Sequence, residues 1–220
     1  MKFEKEYFKT AYKNYKKQNP RRKLRSYLNE ILKHKSSGKL LDIGCAYGSF
    51  LMQAQKHFQS QGVDISRHTI KIAKKRGLKV KTATAEKTRF KKNTFDIITM
   101  FDVIEHIFNL NSLFSEIHHI LKPDGLLVLS IPVYDKVAGK IVSKIDKDPT
   151  HIHKKSRQFW LRILKQNNFK IISYKGILRY FFLKKYYVHT LTKPLRSHTP
   201  AIFIISQKEQ TNVVNNNTSI

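Results

Sequence analysis

Four stretches carry residues whose types and spacing could do chemistry. In "FDVIEHI" (101–107), Asp102 precedes Glu105 by three positions and His106 by four, so a helix would turn all three to one side. Two carboxylates and an imidazole form a donor set that a hard divalent cation accepts. The reading adopted is the plainer one, that Glu105 and His106 cap and pack the turn and hold no metal. In "DPTHIHKKS" (148–156), His151 and His153 stand in the irregular segment before a helix, and one of them is expected to point inward. His151 is the preferred general base, because an imidazole titrates near neutral pH. In "KLLDIGCAYGSFL" (39–51), an apolar run meets Asp42 and breaks at Gly44, Ala46 and Gly48. Small residues there let a ligand approach the backbone, and the following helix start offers free N–H groups. The spacing G-x-A-x-G puts Ser49 where the dinucleotide fingerprint wants glycine, which disfavours a pyrophosphate. Finally, Asp64 in "GVDIS" stands 20 residues after Gly44, placed to accept hydrogen bonds from ribose hydroxyls; its alternative role is a helix N-cap.

These residues need elements to hold them. Residues 21–35, "RRKLRSYLNEILKHK", set Leu24, Tyr27, Leu28, Ile31 and Leu32 at helical spacing behind Pro20. A short buried strand over 39–44, a helix over 49–58 and a second strand over 60–66 follow. The alternation continues with a helix near 67–76, strands at 78–84 and 94–101, a helix over 110–121 and a strong strand at 126–132. Strands separated by helices imply right-handed crossovers and a parallel, doubly wound α/β sheet, whose ligand crevice lies beyond the carboxyl ends of the strands. From 133 to about 155 the chain reads as polar and irregular. A helix resumes over 156–169, and strands at 169–178 and 200–208 bracket a basic, aromatic insert at about 179–199. The expected organisation is an N-terminal lid or cap segment (1–38) carrying Tyr7, Tyr12 and Tyr15, one catalytic domain (39–208) and a disordered tail (209–220). His118 and His119, on the helix before the fifth strand, read as structural.

Composition sets outer bounds. A chain of 220 residues suits one domain. No run reaches the roughly 18 uncharged residues a spanning helix needs, and the charged N-terminus lacks a secretory h-region, so the protein reads as soluble and cytoplasmic. A single cysteine, Cys45, excludes an intramolecular disulfide and a CxxC zinc site. With 43 basic against 15 acidic residues the net charge is +28, spread from Lys2 to Lys208. It could serve RNA or an anionic membrane surface, or could reflect a lysine-rich composition with no partner behind it. The insert "RYFFLKKYYVH" could rest on such a membrane or form an ordinary basic hairpin.

In order and spacing, "LLDIGCAYGSFL", "GVDIS", "TATAEKTRF", "FDIITMFDVIEHI" and "LKPDGLLVLSIP" resemble the motifs of class I S-adenosylmethionine-dependent methyltransferases, strongly over 39–132 and, through residue 169, in the style of ubiquinone-biosynthesis-like small-molecule enzymes. The resemblance implies a Rossmann-like sheet of seven strands, order 3-2-1-4-5-7-6, mostly parallel with an antiparallel last strand. It implies S-adenosylmethionine as cofactor. Asp42 would orient the methionyl amino group, and Gly44, Cys45 and Gly48 would line the methionyl arm and ribose. Asp64 would take the ribose, Ile65 the adenine edge, Ala85 and Glu86 the adenine ring. Phe101 and Asp102 would face the sulfonium and the acceptor, with His106 and His151 as catalytic partners. Thr84 stands where relatives carry an acidic residue, and Ala46 where glycine is commoner. Some ubiquinone-pathway relatives hold a cation with the set matching Asp102, Glu105 and His106, while the same "EH" occurs widely without metal. The expected activity is methyl transfer, to an oxygen of a small-molecule or lipid- or glycan-linked acceptor. The alternatives are an RNA methyltransferase, although no "NPPY"-like motif follows the fourth strand, and a non-catalytic cofactor-binding protein.

Overall fold

The computed structural model describes residues 15, 19–145, 148–182 and 186–209, with side chains left aside at 145 and 179–189. Leu24, Tyr27, Leu28 and Ile31 give helix α1 (Arg21–Leu32) one apolar stripe, and all four are buried. The chain then alternates through β1 (Lys39–Ile43), α2 (Leu51–Ala54), β2 (Gln59–Asp64), α3 (Arg67–Lys75), β3 (Val80–Thr82) and β4 (Phe95–Phe101). A single 3-10 turn (Ile104–His106) leads to α4 (Leu110–Ile120) and the long β5 (Leu121–Pro132). Beyond it come α5 (Lys136–Ile145), α6 (Arg157–Gln166), β6 (Phe169–Phe182), β7 (Tyr186–Thr192) and β8 (Ala201–Lys208).

One sheet joins the strands in the order β3-β2-β1-β4-β5-β8-β6-β7. The first five are parallel neighbours, and β8, β6 and β7 add antiparallel pairings. Side chains alternate across it: Leu40, Ile97, Val128 and Phe203 pack towards α1, α2 and α3, while Leu41, Ile98, Leu129 and Ile204 meet Phe114, Ile117, Trp160 and Leu164 on the other face.

The α/β class and parallel core match the sequence reading, with two differences. The sheet has eight strands rather than seven, because the backbone of the basic insert contributes β7, which pairs with an extended β6 from Gly176↔Thr192 to Phe182↔Tyr186. Residues 136–145, expected to be irregular, form α5. Its Gly139 and β-branched Val137, Ile141 and Val142 weaken helix propensity and obscure the signal, yet Gly139 is enclosed, and a Cβ there would lie 2.7–2.9 Å from backbone atoms of 133–134. Helix spacing and close backbone approach outweigh propensity. Of the proposed lid, Tyr7 and Tyr12 lie outside the described residues, as does the tail from 210.

Candidate functional site

The turn after β1 is bound to the end of β2. Val63 O accepts from Gly44 N at 2.8 Å and from Cys45 N at 3.1 Å, and Gly48 N donates to Cys45 O at 2.8 Å. Gly44 and Gly48 have φ of +76° and +73°. A Cβ on Gly44 would lie 2.3 Å from Val103 Cγ2, and one on Gly48 2.1 Å from Leu78 Cδ1, so both conformation and space call for glycine. Ala46 takes the left-handed region too, with φ of +45°, showing that the tight loop accepts alanine there. Cys45 is a buried thiol, held up from its ordinary pKa by burial, with Asp42 and Asp64 adding to the effect; it packs and does not react.

Two buried carboxylates face this turn. Asp64 Oδ2 accepts from Ala46 N at 2.8 Å, and its Oδ1 from Ser66 N at 2.8 Å, which ties the end of β2 to the glycine turn. The helix cap is Ser66, whose hydroxyl accepts from Thr69 N, so the cap and the acid are separate residues. Asp42 accepts from Thr99 Oγ1 at 2.7 Å; burial pushes its pKa up to about 7, and nearby Asp64 adds to the shift. Burial raises Asp64 as well. Their described hydrogen-bond donors are neutral amides and hydroxyls, so a positive charge brought beside them would favour their ionised forms. Beside them, Ile65 is an exposed aliphatic side chain, and Ala85 with the half-buried Glu86 forms the turn bridged by Thr84 and Lys87. Tyr15 reaches the same cradle: its hydroxyl bonds Ser49 with Asp42 and Asp64 close by, burial raises its pKa, and its ring meets Tyr47 edge-on at 5.0 Å.

The second group lies past β4, in contact with the first through Val103 and Gly44. Phe101 packs between Tyr27 and Phe50 at 4.8 and 4.9 Å. Asp102 turns left-handed, with φ of +56°, so the helical spacing expected to align it with Glu105 and His106 does not apply: helix geometry is confined to one 3-10 turn that starts after it. Its carboxylate instead accepts from Ser130 Oγ at 3.1 Å and pairs with Lys23 Nζ at 3.1 Å. Lys23 is buried on α1 and also donates to Asn19 Oδ1. Sequence reasoning missed it; the one signal was its position a helical turn before Tyr27.

Glu105, His106 and His151 come together, their ligand atoms all within 4.8 Å of one another. One carboxylate and two imidazoles suit a divalent transition metal, so these three, in place of the alternative set with Asp102, are the residues that could hold one. The two rings are 4.6 Å apart. His106 Nδ1 lies 3.0 Å from Thr150 O; a carbonyl only accepts, so this nitrogen carries the proton and Nε2 the lone pair. Thr150 is anchored in turn by Asp148, through its amide at 2.9 Å and hydroxyl at 2.6 Å. Burial, then the His151 ring, lowers the His106 pKa and so favours its neutral form. His151 Nδ1 meets Tyr134 Oη at 3.0 Å. His153 bonds away from this pair, its Nε2 to Ile107 O and its amide to Glu105 O, a divergence that the irregular backbone of 151–156 permits. His118 bonds Asn167 O between α4 and α6. Tyr134, Asp148 and Thr150 carried no motif signal; they become visible only once the 148–155 loop folds over the 3-10 turn.

Residues 15–174 match the family model of the methyltransferase domain. An uncharacterized protein of Methanocaldococcus jannaschii, MJ1123, is 32% identical over 155 residues, covering 67% of this chain and 72% of that one. A ubiquinone biosynthesis O-methyltransferase of Bartonella bacilliformis is 32% identical over 100 residues, 42% of this chain and 40% of that protein. Among solved structures, a Thermotoga maritima protein described as a SAM-dependent methyltransferase, possible histamine N-methyltransferase, superposes with a TM-score of 0.71 at 20% identity, over 93% of this chain and 99% of that one.

Proposed function

Because the chain belongs to the methyltransferase-domain family of class I S-adenosylmethionine-dependent enzymes, we propose that it methylates an oxygen of a small-molecule or lipid- or glycan-linked acceptor held beside His106 and His151. The supporting observation is the juxtaposition of two unlike sites across Gly44 and Val103: a cradle of buried carboxylates, and a pair of imidazoles 4.6 Å apart. The cofactor's ammonium and sulfonium charges fit that cradle, with Asp42 toward the amino group, Gly44, Cys45 and Gly48 along the methionyl arm, Asp64 on the ribose, and Ile65, Ala85, Glu86 and Phe101 around the base and sulfonium. When bound, S-adenosylmethionine supplies a methyl group already activated for transfer.

The chain's own work is then positioning, exclusion of water and one proton transfer. An acceptor hydroxyl must lose its proton as its oxygen is alkylated, and an imidazole is a competent recipient at neutral pH. His151 is the proposed base, backed by Tyr134, with His106 beside it held as the Nδ1–H tautomer by Thr150. Asp102 is proposed to line the acceptor side while Lys23 balances its charge. Tyr15 is proposed as the tip of a lid over the cofactor. Glu105, His106 and His151 could alternatively hold a divalent cation that would draw the acceptor oxygen into place. A cytoplasmic location remains part of this proposal; among the described residues no helix is long and apolar enough to cross a membrane.

The acceptor class is tested by following labelled methyl from S-adenosylmethionine into quinone precursors, sugars, lipid-linked glycans and RNA, with and without chelator. Label in an oxygen acceptor supports the proposal. Label that is lost on ribonuclease treatment assigns the enzyme to RNA, and loss of transfer on chelation with recovery on adding a divalent metal assigns the histidines to the cation.

A further inference from the structure

The segments around the histidine pair have an unusual surface. Phe108, Val137, Ile141 and Ile152 are 81, 74, 55 and 44% exposed, four of seven large apolar side chains so exposed among the described residues. They sit on three segments bonded to one another. His153 ties the Ile152 loop to the Phe108 segment through Glu105 O at 3.1 Å and Ile107 O at 2.9 Å. Tyr134, at the foot of α5, bonds the same loop through Lys155 O at 3.1 Å and His151 Nδ1 at 3.0 Å. Val137 and Ile141 are one helical turn apart and share a side of α5. Around them Lys136, Lys140, Lys144, Lys154 and Lys155 are exposed. The described acids of these segments are committed inward: Asp135 to Arg157, Asp148 to Thr150, and Glu105 in the core.

From this we propose that α5, with the loops of Phe108 and Ile152, docks the enzyme on the surface of an anionic bilayer, the apolar side chains entering the acyl boundary and the lysines meeting lipid headgroups. Charge and apolarity on one short amphipathic helix are the two requirements of interfacial binding. RNA would engage the lysines but leave Val137 and Ile141 in water, and a second copy of this face would bring five lysines against five. Since His151 bonds Tyr134 at the foot of α5, an acceptor would reach the base from the membrane plane. That corollary rests on the proposed methyl transfer; the docking does not.

Full-length protein is sedimented with vesicles of phosphatidylcholine alone and of phosphatidylcholine and phosphatidylglycerol in equal parts. Binding is expected to the anionic vesicles only. Lys136→Ala/Lys140→Ala/Lys144→Ala should weaken it roughly a hundredfold, at about fivefold per lysine. Val137→Ser/Ile141→Ser, which leaves the charge unchanged, should weaken it as well, with S-adenosylhomocysteine affinity intact in both variants as the control for folding. In Phe108→Trp, tryptophan emission should shift to the blue on adding anionic vesicles. No vesicle binding by the intact protein, unshifted Phe108→Trp emission, or binding indifferent to Val137→Ser/Ile141→Ser overturns the proposal; RNA binding with silent apolar substitutions does so in favour of a nucleic acid. Vesicle binding without methylation of any lipid-linked acceptor upholds the docking face and overturns the lipid-linked acceptor instead.

Discussion

Asp42 offers the sharpest physical test of the proposed cofactor cradle. Its carboxyl is fully buried and its pKa raised to about 7 from an ordinary 3.8. A ligand ammonium placed beside it favours the ionised form, so binding of S-adenosylhomocysteine through its α-ammonium must draw off the proton that the buried carboxyl retains, and affinity rises with pH through about 7. With a pKa near 7, roughly nine-tenths of the carboxyl is ionised at pH 8 and roughly one-tenth at pH 6, so S-adenosylhomocysteine should bind about tenfold more weakly at pH 6. Asp64, raised in the same direction, steepens the trend. Asp42→Asn keeps an oxygen for Thr99 and loses the charge. It should bind about 10- to 100-fold more weakly than wild type at pH 8, the worth of one charged hydrogen bond, with a flatter pH dependence. Calorimetry between pH 6 and 8, in buffers of different ionisation enthalpy, reads both the affinity and the release of about half a proton at pH 7. Affinity that is constant or falls with rising pH, or an Asp42→Asn variant that binds like wild type, would refute the reasoning.

Three further outcomes follow from the geometry. Gly44→Ala should destabilise the fold by about 2 kcal/mol or more, from its left-handed φ and the clash with Val103; adding Val103→Ala should restore part of that in thermal melts, and no recovery would mean the clash is unimportant. Lys23→Met should lower stability by about 2 kcal/mol, because Lys23 is 2% exposed and leaves the carboxylate of Asp102 poorly compensated; an unchanged melting temperature contradicts the pairing. For His106 the folded pKa lies below the ordinary 6.5, so its neutral form favours the fold and that contribution is complete above pH 6.5 and lost as pH falls through and below it. Denaturant titrations at pH 5 and 7 should therefore show a smaller difference for His106→Gln than for wild type.

The strands and the glycine turn were legible because periodicity, glycine placement and the acid at the end of β1 and of β2 are local signals, as at Leu40 to Gly44 and Val63 to Asp64. The cluster past β4 was legible only in part. His151 and His106 were named from residue type, but their closure into one pair depends on Thr150 and Tyr134, brought there by tertiary folding. The Asp102 geometry was misread because a left-handed residue breaks helical spacing, a conformation that aspartate adopts without announcing it. Lys23 was invisible for a related reason: a lysine beside an apolar stripe ordinarily reads as solvated, and its partner is 79 residues away. Helix α5 was missed through its poor propensity, and its exposed Val137 and Ile141 are the residues that a local pattern reads least well.

The most direct measurement of the account compares cofactor binding with methyl transfer in the same preparations of wild type, Asp64→Ala and His151→Ala, using S-adenosylhomocysteine calorimetry and labelled methyl from S-adenosylmethionine. The two-site arrangement predicts that Asp64→Ala loses binding and transfer together, while His151→Ala retains wild-type affinity and loses transfer. Wild-type protein that does not bind S-adenosylhomocysteine, binding untouched by Asp64→Ala, or a His151→Ala variant that transfers methyl at the wild-type rate would contradict it.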